Sequence, residues 1–261
     1  YWEACRAYCD VLYGRCLATS TKEIFLDKTP AYALVLPFLE KVFPDGKYIV
    51  LTRHPAALFS SYANSFFNGD YRAAHAYNPV LHRYVPAIAA FLRRGAVALF
   101  HVRYEDLVKD PREWMRRIYE FVGVPFEEGT IEYGAGRRSV EAKQGLGDPL
   151  GVDRHVRPVT DSVEKWAAEV AADTGKRAFL EEIIGALDPD DLQIFGYPLE
   201  GLWEPLERVV GKTVSVPRSK WSFYKVQRWL IVRLRGLARK SKAFRKVLET
   251  VRLGCDVLLR E

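Results

Sequence analysis

Three short apolar runs, each closed by a polar corner and followed by a helix-like stretch, constrain this chain more than any other feature. Residues 23–27 read EIFLD and end in Lys28-Thr29-Pro30, ahead of a helical pattern over 31–42. Lys47–Thr52 reads KYIVLT and ends in Arg53-His54-Pro55, ahead of a helical pattern reaching about Phe67. Residues 97–102 read VALFHV and end in Arg103-Tyr104-Glu105-Asp106, ahead of a helix over Pro111–Val122 that Gly123 stops. Pro30 suits a first helical position, where its missing N–H leaves nothing unsatisfied. Gly123 suits a left-handed helix end. Three strand–helix units of this kind predict an α/β fold, a parallel sheet flanked by helices. Ligands gather at the carboxyl ends of strands in such sheets, and Lys28, Arg53 and Arg103 all stand there.

Composition enters as a set of exclusions. With 261 residues, 49% of them apolar and 28% charged, the chain can bury a core and is neither disordered nor an integral membrane protein. Its longest apolar stretches, at 31–39 and 229–232, fall far short of the roughly 20 residues of a spanning helix. Four cysteines (Cys5, Cys9, Cys16, Cys255) lack paired spacing, so neither a disulfide framework nor a metal site is expected. A reducing, cytoplasmic setting follows from that reading. The chain opens on Tyr1 without a signal-peptide pattern, which raises the expectation of a truncated or processed N-terminus.

Charge divides the chain in two. Residues 212–261 hold fourteen Lys/Arg against three acids, a balance of +11, while the rest carries −5. The expected boundary separates an α/β domain over 1–205 from a basic helical tail over 206–261. In the tail Leu234, Leu237, Phe244, Leu248, Val251, Cys255 and Leu258 follow helical spacing, with Trp221, Tyr224 and Trp229 at its start. An anionic membrane surface is one expected partner of such a helix. Packing on the domain and a coiled-coil seam that makes a homodimer are the other readings. Nucleic acid is not expected, because no reading motif accompanies the charge.

The second unit carries the most chemistry. Arg53 ends a strand and Ser61 lies eight residues on, inside the following helix. A guanidinium fork, a hydroxyl and a helix N-terminus together suit a phosphate. The competing reading is an arginine paired with a carboxylate and a serine facing solvent.

FLDKTPAY, FPDGKYIVLTRHPAALFSSYANSF and VRYEDLVKDP occur in that order, and the combination resembles the sulfotransferase superfamily, nearest its bacterial and tyrosylprotein-type branch. The resemblance covers about residues 20–170. It implies a nucleotide-kinase-like parallel α/β fold and 3′-phosphoadenosine 5′-phosphosulfate as sulfuryl donor, with no metal. It further implies that Arg53 and Ser61 bind the 3′-phosphate. Lys28 would stabilise the transferring sulfuryl group, and Lys143, Gln144 and Gly145 would close over the nucleotide. The last three sit in KQGLGD, where Gln144 replaces a second basic residue. The family's 5′-phosphosulfate loop has no counterpart here and is expected upstream of Tyr1, or lost. Gly211-Lys212-Thr213 is no substitute, because Leu206 occupies the first glycine position of a Walker A pattern.

The function expected from this resemblance is sulfuryl transfer to a hydroxyl of a small molecule, glycan, lipid or protein tyrosine. A non-catalytic membrane- or partner-binding protein that keeps the fold is the alternative. A nucleotide kinase is disfavoured by the missing Walker A sequence. His54 reads as structural; His75, His82, His101, His155, Asp27 and Glu105 are candidates for a general base. Tyr62, Phe66, Phe67, Tyr71 and Tyr77 line either an aromatic acceptor cleft or the core.

Overall fold

Two of the three apolar runs pair as strands. The computed structural model describes residues 1–132, 157–160 and 163–209, with scattered positions between 241 and 250. In it β1 (Lys47–Thr52) and β2 (Ala98–Arg103) form a parallel pair, Lys47 opposite Ala98 and Thr52 opposite Arg103. Three helices cross between them: α3 (Pro55–Phe67), α4 (Tyr71–Tyr77) and α5 (Val80–Arg94). Upstream lie α1 (Trp2–Ala18), a 3-10 segment (Pro30–Val35) and α2 (Leu36–Val42). Downstream of β2 come α6 (Tyr104–Lys109) and α7 (Pro111–Val122), then α8 (Lys165–Ala171), α9 (Thr174–Gly185), α10 (Pro189–Ile194) and α11 (Glu204–Glu207). The result is a mostly helical α/β fold on a small parallel sheet.

The expected strand at 23–27 does not form. No described strand lies beside that segment, and a strand exists only through a hydrogen-bonding neighbour. Ile24 and Leu26 are exposed, and Phe25 is held instead by the ring of Tyr13 from α1, stacked at 4.2 Å. The helix expected over 31–42 is split at Leu36. Pro37 explains the split, since its ring would clash with the carbonyl four residues back in a continuous helix. Pro30 does occupy a first helical position, and Gly123 ends α7 at φ +85°.

The core lies on the helical side. Along α3, Ala56, Phe59, Ala63 and Phe67 recur at helical spacing and are all buried, which places that face against α8 and α9. Leu81 and Val85 of α5 and Leu180 and Ile184 of α9 complete the cluster, which continues through Leu206 of α11. Aspartates fix the helix starts: Asp70, Asp110 and Asp173 each accept a main-chain N–H three residues on. The five aromatics considered for an acceptor cleft belong to this packing, with Tyr71 buried and Tyr62, Phe66 and Tyr77 laid against the cluster.

Cys5, Cys9 and Cys16 are free thiols. No described helix is long and apolar enough to cross a membrane. Of the basic tail, Ala243, Lys246, Val247 and Thr250 are helical; the Thr250 hydroxyl donates to the Lys246 carbonyl at 2.9 Å. Leu206 and its neighbours to Val209 are described, Leu206 being part of α11 and the core; Lys143, Gln144, Gly145, His155 and most of the tail lie outside the described residues.

Candidate functional site

The parallel register builds the site. Because Thr52 faces Arg103, the residues that leave the two strands travel on side by side. Arg53 and His54 therefore meet Tyr104 and Glu105. The Arg53 guanidinium lies over the Tyr104 ring, 4.6 Å from its centre, a cation–π contact. The His54 main-chain N–H donates to Glu105 Oε1 at 3.0 Å, and α3 begins at Pro55. The first turn of α3 holds no acidic residue of its own, and the carboxylate at its N-cap is that of Glu105. Ser61 stands half-buried on the same helix, about 9 Å along its axis from Pro55 at 1.5 Å per residue. Its neighbour Ser60 is turned inward and donates to Glu169 at 2.8 Å.

His54 is structural, as its place at the helix start implies. Its Nε2–H donates to the Leu202 carbonyl at 2.8 Å, and its ring stacks on Trp166 at 4.6 Å. Burial pushes its pKa below the ordinary histidine range, against the opposing pull of the Leu202 carbonyl. Burial also lowers His75 and His101. Each ring holds its proton less readily in the fold than in the unfolded chain, so their contribution to stability is present above about pH 6.5 and lost as pH falls. The melting temperature is therefore expected to fall on acidification from about pH 7.5 to about pH 5.5. His54→Gln, which keeps a donor for Leu202, should flatten part of that fall. An unchanged slope would remove His54 from the account.

The other strand-end cations behave differently. Arg103 is tied to Asp106 by two bonds of 2.7 and 2.9 Å, so its fork is already occupied. Lys28 is exposed in the stretch before the 3-10 segment and makes no ion pair among the described residues. Asp27 beside it accepts the hydroxyls of Tyr13 and Tyr32, both at 2.8 Å, and does not pair with Lys28. Glu105 is occupied on both oxygens, by His54 and by the hydroxyl of Tyr197, which argues against its use as a general base. A shallow cleft of about 460 Å³ opens beside it, lined by Glu105, Asp106, Lys109, Thr160, Val163 and Glu164. Three carboxylates against one ammonium give that cleft the wrong sign for a polyphosphate. The structure thus brings Arg53 and Ser61 onto one strand–helix unit and leaves Lys28 on a separate segment. Sequence reading missed Tyr104 as the bed for Arg53, because the register sets Thr52, not Arg53, opposite Arg103.

Fold and corner together define a parallel α/β domain with a basic strand end. Residues 2–128 match the model of the sulfotransferase family. The nodulation protein NoeE of Sinorhizobium fredii is 27% identical over 69% of the chain and 47% of its own length. Protein-tyrosine sulfotransferase 1 of Danio rerio is 23% identical over 56% of the chain and 42% of its own length. The chain thus spans about half the length of these curated relatives, or less. Among solved structures, the sulfotransferase domain of the Synechococcus PCC 7002 olefin synthase superposes with a TM-score of 0.51 at 26% identity, covering 68% of this chain and 64% of that one. The sulfotransferase domain from the curacin biosynthetic pathway gives 0.51 at 23% identity over 69% of each chain, a likeness of fold.

Proposed function

We propose that this protein transfers a sulfuryl group from 3′-phosphoadenosine 5′-phosphosulfate to a hydroxyl acceptor. The observation that carries the proposal is the Arg53 corner: a guanidinium bedded on Tyr104 at the head of α3, with Ser61 on the same helix. This donor set fits a phosphate, because fork, hydroxyl and helix N-terminus favour the same charge. The donor would supply an activated sulfur in a mixed phosphate–sulfate anhydride. The acceptor oxygen bonds to sulfur while the bond from sulfur to the bridging oxygen breaks. The acceptor's proton passes to a base, and 3′-phosphoadenosine 5′-phosphate departs. Arg53 and Ser61 hold the 3′-phosphate and so fix the nucleotide. Lys28 is assigned the charge that grows on the bridging oxygen, where a cation lowers the barrier. That assignment, like the cover formed by Lys143, Gln144 and Gly145, is supported by the family resemblance.

Calorimetry with 3′-phosphoadenosine 5′-phosphate and adenosine 5′-phosphate tests the reading. The 3′-phosphorylated nucleotide is expected to bind at least about tenfold more tightly, the effect of one charge-assisted contact. Equal affinities would overturn it. Tight binding without label transfer from a radioactive sulfuryl donor to tyrosyl, glycan or lipid hydroxyls would favour the non-catalytic alternative.

A further inference from the structure

Glu105 spends its two oxygens on two distant parts of the fold. Oε1 accepts the main-chain N–H of His54 at the corner between β1 and α3, and Oε2 accepts the Tyr197 hydroxyl just beyond α10. His54 provides a second tie, through the Leu202 carbonyl and the face of Trp166 in α8, while Tyr197 meets its ring edge-on at 5.6 Å. On the other side of Arg53, the Thr52 hydroxyl is joined to His101 Nε2 at 2.9 Å. Arg53 is thus one residue between two anchored neighbours, and its bed, Tyr104, is the residue next to Glu105.

We infer that Glu105 is a positioning residue for anion recognition. Pinned by Tyr197, it fixes the main chain of the corner from which Arg53 presents its fork. The inference rests on the reading of Arg53 as the 3′-phosphate ligand. A corner free to swing would have to be ordered each time an anion binds, and that ordering subtracts from affinity. A carboxylate suits the position because it accepts two hydrogen bonds at once and strengthens both by its charge. The requirement is geometric. Glutamine can accept from His54 with its carbonyl and donate to the Tyr197 oxygen with its amide, whereas alanine can do neither.

The test measures the affinities of 3′-phosphoadenosine 5′-phosphate and adenosine 5′-phosphate for the wild type, Arg53→Ala, Glu105→Gln, Glu105→Ala and Tyr197→Phe, each checked by thermal melting. Glu105→Ala is expected to lose about tenfold or more for the 3′-phosphorylated nucleotide, with adenosine 5′-phosphate changed by less than about threefold. Tyr197→Phe should lose about three- to tenfold in the same selective manner, and Glu105→Gln should stay within about threefold of the wild type. If Glu105→Ala does not fold, Tyr197→Phe decides, since it removes a single oxygen from the pin. A wild-type preference for the 3′-phosphate that survives in Glu105→Ala, or in Tyr197→Phe when that variant decides, overturns the inference. Where Arg53→Ala erases the preference and the Glu105 and Tyr197 variants keep it, the positioning role alone fails. A wild type without any preference fails at the reading of Arg53 itself.

Discussion

Replacing Arg53 by alanine is expected to weaken binding of 3′-phosphoadenosine 5′-phosphate by about 10- to 150-fold while scarcely changing that of adenosine 5′-phosphosulfate. A charge-assisted contact to phosphate contributes about 1.5–3 kcal/mol, and each 1.4 kcal/mol is a factor of ten. The second nucleotide lacks the 3′-phosphate and so has nothing to lose there. Arg53→Lys separates charge from shape. An ammonium keeps the charge but gives up the planar fork and much of the stacking on Tyr104, so its affinity should fall between wild type and alanine. Calorimetric losses of equal size for the two nucleotides would sink the assignment of Arg53 to the 3′-phosphate.

Phe59→Ala should be the most damaging single change to stability. Phe59 is completely buried in α3, with ring centres of Tyr71 at 5.3 Å and Phe179 at 6.2 Å. Truncating a buried phenylalanine costs about 3–5 kcal/mol through lost burial and the cavity left behind. In a domain of this size each kcal/mol shifts the melting temperature by roughly 2–4 °C, so a fall of about 6–20 °C is expected. Val247, exposed in the tail, offers the contrast: Val247→Ala should move the transition by less than about 2 °C, within the usual effect of a surface change. A Phe59→Ala shift as small as that would mean that α3 does not carry the core.

What the sequence revealed follows from how local each determinant is. The runs at 47–52 and 97–102 declare themselves by β-branched residues, and Pro55 and Asp110-Pro111 mark the starts of α3 and α7. Arg53, Ser61 and Gly123 were therefore readable from neighbours a few residues away. EIFLD is similarly apolar at its centre, yet its state depends on whether a strand lies alongside, which no local pattern records. Glu105 was legible as a carboxylate near a strand end but not as a linker. Its partners, His54 and Tyr197, stand 51 and 92 residues away and meet it only through the register of the sheet and the docking of α10. Pro37 was in plain view, and its effect on the helix over 31–42 follows from sterics alone.

The bond between His54 and Leu202 joins residues 148 positions apart. Synthesis therefore releases Arg53 and α3 well before the chain that completes their surroundings, and contacts of such long sequence separation are slow to close. Until the chain through residue 202 has emerged, the strand-end corner lacks the full set of contacts that Trp166, Tyr197 and Leu202 supply. Nucleotide recognition at Arg53 is accordingly a late acquisition during folding: in a nascent-chain length series, capacity for the 3′-phosphorylated nucleotide should arise abruptly once α11 is clear of the ribosome.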